Sequence, residues 1–258
     1  VLEIFFILCC KSKRKLNVQA WHTHDVSNGD YAFVVALAVI DEKRKTVTRL
    51  CTGSMIHKYW VLSAAHCFYE VPDRKIHVWY GNYTVSPLET KLYSTVLKIY
   101  IHPDYHKNGF TRPGYFFGDH DLSLLRVGKV IMYHYATFST IDNTKMIGLP
   151  VSYIGGASKK RADELKPHQI GEGVVIKCGM FLTMWSKHVL CVTPKCFDKS
   201  HHPLHGDFGG PFMYNGKIVG VMSLNFENPK SFLTSNGMTP IKPYKKWIKH
   251  VTNSGWKS

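Results

Sequence analysis

Short apolar runs alternate with polar breaks along most of this chain. Tyr31–Ile40 reads Tyr-Ala-Phe-Val-Val-Ala-Leu-Ala-Val-Ile, a nearly unbroken apolar stretch of the length expected for a buried strand. The charged turn Asp41–Lys45 follows, and Thr46–Ile56 returns as a second strand. Val61–Ser63, Ile76–Tyr80, Leu92–Tyr100, Leu122–Val127, Lys217–Leu224 and Gly237–Ile241 are further β-rich runs, with Gly, Pro and Asn between them. Many short strands punctuated this way predict an all-β sandwich or barrel. Only the last segment reads as helix. Tyr244, Trp247, Ile248 and Val251 recur at i, i+3, i+4 and i+7, with Lys245, Lys246 and Lys249 on the other side. Pro243 stands at its start, where a missing N–H costs nothing. There is no internal repeat and no low-complexity tract.

Composition narrows the class. The 258 residues are 45% hydrophobic and 20% charged, a globular balance with enough length for one large domain or two small ones. No apolar run approaches the roughly 20 residues that span a bilayer, so no membrane span is expected. The 33 Lys+Arg against 18 Asp+Glu give +15 with His neutral, which favours anionic partners such as glycosaminoglycans or acidic proteins. The basic runs at Lys11–Lys15, Lys43–Lys45, Lys159–Arg161 and Lys242–Lys249 lack the interleaved aromatics of a nucleic-acid module, and no nucleic-acid partner is expected.

Seven cysteines lie at 9, 10, 51, 67, 178, 191 and 196, without a Cys-x-x-Cys pair. The spacings Cys51/Cys67 and Cys178/Cys191 suit two structural disulfides and leave Cys196 over. Disulfides ask for an oxidising compartment. Residues 1–19 fit that setting as a truncated secretory signal or a basic N-terminal segment. Ile4–Cys10 is apolar and Lys11–Lys15 is basic, although a signal carries its charges before the apolar core. Asn82-Tyr83-Thr84 is a glycosylation acceptor in a secreted chain. His201, His202 and His205 cluster in sequence, but no Cys or acidic residue completes a ligand spacing, so a polar surface loop is expected, with neither metal nor cofactor.

Three motifs carry chemistry. The first is Cys51-Thr52-Gly53-Ser54-Met55-Ile56 followed by Trp60-Val61-Leu62-Ser63-Ala64-Ala65-His66-Cys67. The second is Asp119-His120-Asp121-Leu122-Ser123-Leu124-Leu125. The third is Gly206-Asp207-Phe208-Gly209-Gly210-Pro211. Together they resemble the histidine, aspartate and nucleophile segments of the trypsin/chymotrypsin-like serine proteases. Val219–Leu224, Thr239-Pro240-Ile241 and Trp247-Ile248 extend the resemblance, which covers roughly residues 20 to 251. It implies two antiparallel six-stranded barrels, about 20–135 and 136–243, with a short C-terminal helix at 244–251 and a cleft between the barrels. It also implies that Cys51 and Cys67 bond around the histidine loop, that His66 holds the general-base position and that Asp121 orients it. Cys178 and Cys191 match a further family disulfide, with Cys196 close enough to compete.

The same resemblance marks three departures. The family pattern has serine where Phe208 stands, and phenylalanine has no heteroatom with which to form an acyl-enzyme. Phe208 is also much larger than serine, and its ring is expected to fill the substrate-carbonyl site or to pack on His66. Active members carry an Ile-Val-Gly-Gly-like start, whose freed amine pairs with the aspartate before the nucleophile, here Asp207. Lys15-Leu16-Asn17-Val18-Gln19-Ala20 carries no such motif, so Asp207 is expected to meet a different cation or to lie in a loosened loop. The pocket segment Ser200–His205 contains no carboxylate. Gly206, Asp207 and Gly209 retain the oxyanion-loop pattern. The expected function is that of a secreted, non-catalytic protease homologue, a cofactor, decoy or recognition module binding an active protease, its substrate or an anionic surface. An active endopeptidase would require serine in place of Phe208. A heparin- or surface-binding protein on a protease scaffold is the other alternative.

Overall fold

Burial is nearly continuous along several strands of the first half of the chain, as at Val34–Ala38, Trp60–Ser63 and Ile76–Trp79, and alternates at Thr46–Cys51. In the computed structural model, residues 24–26, 28–69, 75–108, 117–156, 165–179, 188–194, 206–226 and 235–254 are described. Six antiparallel strands close the first barrel: β1 (Val34–Asp41), β2 (Thr46–His57), β3 (Trp60–Ser63), β4 (Ile76–Trp79), β5 (Tyr93–Ile101) and β6 (Ser123–Val127), in the order β6-β3-β2-β1-β4-β5. Six more form the second: β7 (Pro150–Gly155), β8 (Gln169–Ile176), β9 (Leu190–Pro194), β10 (Pro211–Tyr214), β11 (Lys217–Phe226) and β12 (Ser235–Pro240). Their order is β8-β7-β10-β11-β12-β9, and β9 pairs back onto β8. The two barrels thus share one connectivity. His24–Asp25 adds to the second barrel at the edge of β8, although chain order alone assigns it to the first.

The differences from the sequence reading have local causes. The apolar run from Tyr31 does not form one strand, because Tyr31 adopts φ 53° and a turn at Ala32–Phe33 separates β1 from the short strand Asn28–Tyr31. Strand β8 escapes the pattern because close packing replaces apolar bulk with glycine. A Cβ on Gly171 would strike the ring of Tyr153, and one on Gly173 would meet Val192 Cγ1 at 2.5 Å. The C-terminal helix spans Lys245–Ser254, and a 3₁₀ turn at Lys242–Tyr244 precedes it. Its apolar face is buried through Ile248 and Val251.

One apolar cluster joins the barrels. It unites Leu37, Met55, Leu62, Leu124 and Val127 of the first with Ile154, Met213, Ile218 and Val221 of the second, and the helix residues Ile248 and Val251 join it. A second cluster, with Phe212, Val219, Met222 and Met238, fills the second barrel. Disulfides link Cys51 to Cys67 and Cys178 to Cys191. Residues 1–23, Cys196, His201, His202 and His205 lie outside the described residues.

Candidate functional site

The strand β3 ends at Ser63, and His66 opens the single helical turn His66–Tyr69. The Cys51–Cys67 bond pins that turn to β2 beside His66. Asp121, only 1% exposed, immediately precedes the apolar run that enters β6. Its two carboxylate oxygens serve the histidine together: Oδ1 accepts from the His66 backbone N–H at 2.8 Å and Oδ2 from Nδ1 at 2.7 Å. A carboxylate on Nδ1 fixes that nitrogen as the donor and leaves the lone pair on Nε2. The histidine is therefore held in the tautomer a general base requires.

Behind this pair, aromatic side chains hold the Asp121 loop to the C-terminal helix. The His102 and His120 rings stack at 5.1 Å with 9° between planes, and Trp247 lies 4.8 Å from His102. Tyr244 Oη lies 3.2 Å from His120 Nδ1. Burial, together with Asp119 and Asp121, pushes the Tyr244 hydroxyl up, which keeps it a neutral partner. His102, Asp104 and His120 approach one another at ligand-like distances. However, His102 Nδ1 accepts from the Asp104 backbone N–H at 3.2 Å, and stacked rings do not aim their in-plane lone pairs at one ion. Cys51 and Cys67 also approach His66, but disulfide sulfurs are not thiolate ligands.

The loop Gly206–Gly210 is stitched to both barrels. Thr52 of β2 donates its backbone N–H to Phe208 O at 2.8 Å and its hydroxyl to Gly206 O at 2.7 Å. Gly209 N–H donates to Met222 O at 2.8 Å, and Met222 N–H returns to Gly210 O at 2.9 Å. Ser63 Oγ–H donates to Thr52 O at 2.8 Å. Gly209 has φ +81°, and a Cβ there would strike Ser63 Oγ and Thr52 O. Glycine is thus required at that turn on both conformational and steric grounds. The Phe208 ring, half-buried, packs against both apolar clusters and stands edge to face with the His66 ring at 5.0 Å. The structure therefore brings His66, Asp121 and Phe208 to one place, with Gly206, Asp207 and Gly209 beside them. The side chain that faces His66 from this loop is a hydrocarbon ring.

Arg49 was missed by the sequence reading. It occupies a buried position of β2, in phase with Val47 and Cys51, and is 6% exposed. A charge in the buried phase of a strand was the available signal. Its guanidinium crosses to the second barrel, donating from Nη1 to Gly156 O at 2.8 Å and from Nη2 to Lys166 O at 2.6 Å. Burial lowers its pKa to about 10, and Tyr83 and Asp207 oppose that shift. Next to it, burial and the Arg49 charge push His168 down to about 3.

Comparison with known proteins agrees with this geometry. The family model described as Trypsin matches residues 20–248. Rat granzyme M is 24% identical over 230 residues, covering 81% of each chain. Human kallikrein-2 is 27% identical over 219 residues, covering 77% of this chain and 78% of its own. A solved structure of HL collagenase superposes with a TM-score of 0.68 at 18% identity, covering 91% of this chain and 99% of that one.

Proposed function

On the premise that this chain belongs to the trypsin family, we propose that it is a secreted, non-catalytic serine protease homologue that works by binding protein partners. The observation that carries this reading is Phe208 at the nucleophile position, with its ring against His66. Without an oxygen or sulfur there, His66 has no nucleophile to deprotonate and no acyl-enzyme forms. The retained Asp121–His66 pair then acts as part of the scaffold that shapes the cleft. The loop backbone survives because Thr52, Met222 and Gly209 still need it. The two disulfides support an extracellular setting. No helix among the described residues is long and apolar enough to cross a membrane. Partners of this kind include an active protease or its substrate, with the homologue serving as cofactor, decoy or recognition module.

The direct test is a fluorophosphonate serine probe on the purified protein, alongside peptide and ester substrates. Neither labelling nor turnover is expected, and site-specific labelling in the cleft would overturn the reading.

A second reading, recognition of sulfated polysaccharide, is favoured by a ladder of cations and rings on the first barrel. Lys98 Nζ lies 5.0 Å from the Tyr100 ring, Arg126 lies 4.5 Å over Tyr59 and 5.6 Å over Trp60, and Lys58 lies 5.5 Å over Tyr59. Strand register sets Arg126 directly opposite both Lys98 and Trp60. The test is heparin chromatography. Salt-sensitive retention that falls in Lys98→Ala and Arg126→Ala supports the reading, and retention indifferent to both substitutions refutes it.

A further inference from the structure

Asn82-Tyr83-Thr84 is the one Asn-x-Ser/Thr triplet in the sequence. It lies between β4 and the helical turn Pro87–Thr90, which Ser86 caps. Its middle residue is an anchor. Tyr83 is buried, its hydroxyl donates to Val34 O at 2.9 Å, and its ring lies 5.2 Å from that of Trp79. The two flanking residues stay at the surface, with Thr84 exposed and Asn82 partly so. The Asn82 carboxamide is held by its oxygen. Oδ1 accepts from the Thr84 backbone N–H at 2.9 Å and from the Thr84 hydroxyl at 2.7 Å. A backbone N–H can be met only by the oxygen of the carboxamide, so this grip turns Nδ2 away from Thr84.

Strand register places the triplet relative to the cleft. Strand β4 ends at Trp79, which pairs with Tyr93 at the start of β5. The other end of β5, Ile101, pairs with Ser123, just beyond Asp121. Asn82 therefore leaves the barrel at the far end of β5 from the His66–Asp121 pair. An extended strand of that length runs about 26 Å, at roughly 3.3 Å per residue.

We propose that Asn82 carries an N-linked glycan, set at the end of the first barrel away from the His66–Asp121 pair. The step is a glycosyl transfer. Nδ2 forms a bond to the anomeric carbon of a lipid pyrophosphate-linked oligosaccharide, and the bond from that carbon to the pyrophosphate oxygen breaks. The pyrophosphate leaves with the electron pair, and Nδ2 gives up one proton to a base of the transferase. The inference rests on the secreted reading, since a chain meets that donor only inside the secretory compartment. It stands whether or not Phe208 abolishes catalysis.

The test expresses the full chain behind a secretory leader in cultured animal cells, as the unchanged sequence and as Asn82→Gln, Thr84→Ala and Thr84→Ser. Chain from cells and medium is pooled, so a variant that folds poorly is still read. Peptide mapping reports on the same material whether Cys51 and Cys67 are bonded, a mark of the oxidising compartment. For the unchanged sequence, peptide N-glycosidase is expected to lower the mass by one glycan and to leave a carboxylate at position 82. The shift is expected to vanish in Asn82→Gln and Thr84→Ala and to persist in Thr84→Ser. Chain that carries the Cys51–Cys67 bond but shows no shift would overturn the glycan and leave the secreted reading intact. Glycosylated chain with both cysteines reduced would confirm the site and count against the secreted reading instead.

Discussion

The ring of Phe208 meets the imidazole of His66 edge to face, their centroids 5.0 Å apart and their planes at 82°. The contact is an ordinary aromatic pair of the sort that stabilises cores, set at the position where a catalytic site would hold a hydroxyl against Nε2. Phe208→Ser is expected to show no peptidase turnover, because the segment Lys15–Ala20 lacks the activation-start motif of active members and the ring's packing on both apolar clusters is lost. The same change should cost about 2 kcal/mol of stability, roughly half the usual cost of truncating a fully buried phenylalanine. Progress curves with peptide and thioester substrates and a urea titration check both outcomes. Substantial turnover would mean that the chain retains a competent cleft.

Gly209→Ala tests the turn itself. Its φ of +81° and the approach of Ser63 Oγ and Thr52 O combine conformational strain with overpacking, for about 3 kcal/mol. Gly216, also at positive φ but with open space around it, should tolerate the same substitution at about 1 kcal/mol. A thermal melt of each variant decides. Equal losses would show that the loop relaxes away from β2.

Acid should loosen the seam between the barrels. His168 is pushed from 6.5 to about 3 by burial and by Arg49, and Tyr83 packs against its ring. A histidine whose folded pKa is depressed binds fewer protons than it does in the unfolded chain. Its contribution is therefore complete above pH 6.5 and is lost as the pH falls toward 3, by no more than about 5 kcal/mol. His168→Gln should flatten unfolding free energy against pH across that window. Some slope will remain from His102, which burial shifts in the same direction. An unchanged slope would contradict the buried, neutral histidine.

The Cys51–Cys67 bond closes a separation of 16 residues. Replacing both cysteines by alanine should cost about 3 kcal/mol through the unfolded chain. It should also free the turn that carries His66. Chemical denaturation reads the first effect, and the His66 imidazole resonance in the presence and absence of the bond reads the second.

Legibility in the sequence varied with how each residue earns its place. His66 and Asp121 were legible only through the family resemblance of Trp60–Cys67 and Asp119–Leu125, since a lone histidine reads as a core or surface residue and an aspartate before a strand as a turn residue. The strands of the second barrel were harder to read. There, Gly171 and Gly173 make room for Tyr153 and Val192, so packing erases the alternation that marks a strand. The start of the C-terminal helix was missed by one residue, because the 3₁₀ turn at Lys242–Tyr244 continues the same apolar face. Arg49 was invisible to a reading that takes charge as exposure, since its partners lie 107 and 117 residues away.

The apolar cluster that runs unbroken from Leu37 and Leu124 to Ile154 and Val221 bears on mechanics as well as stability. Two barrels that share one interior have no plane along which to hinge without opening that interior to water. The two barrels therefore present a body of fixed shape.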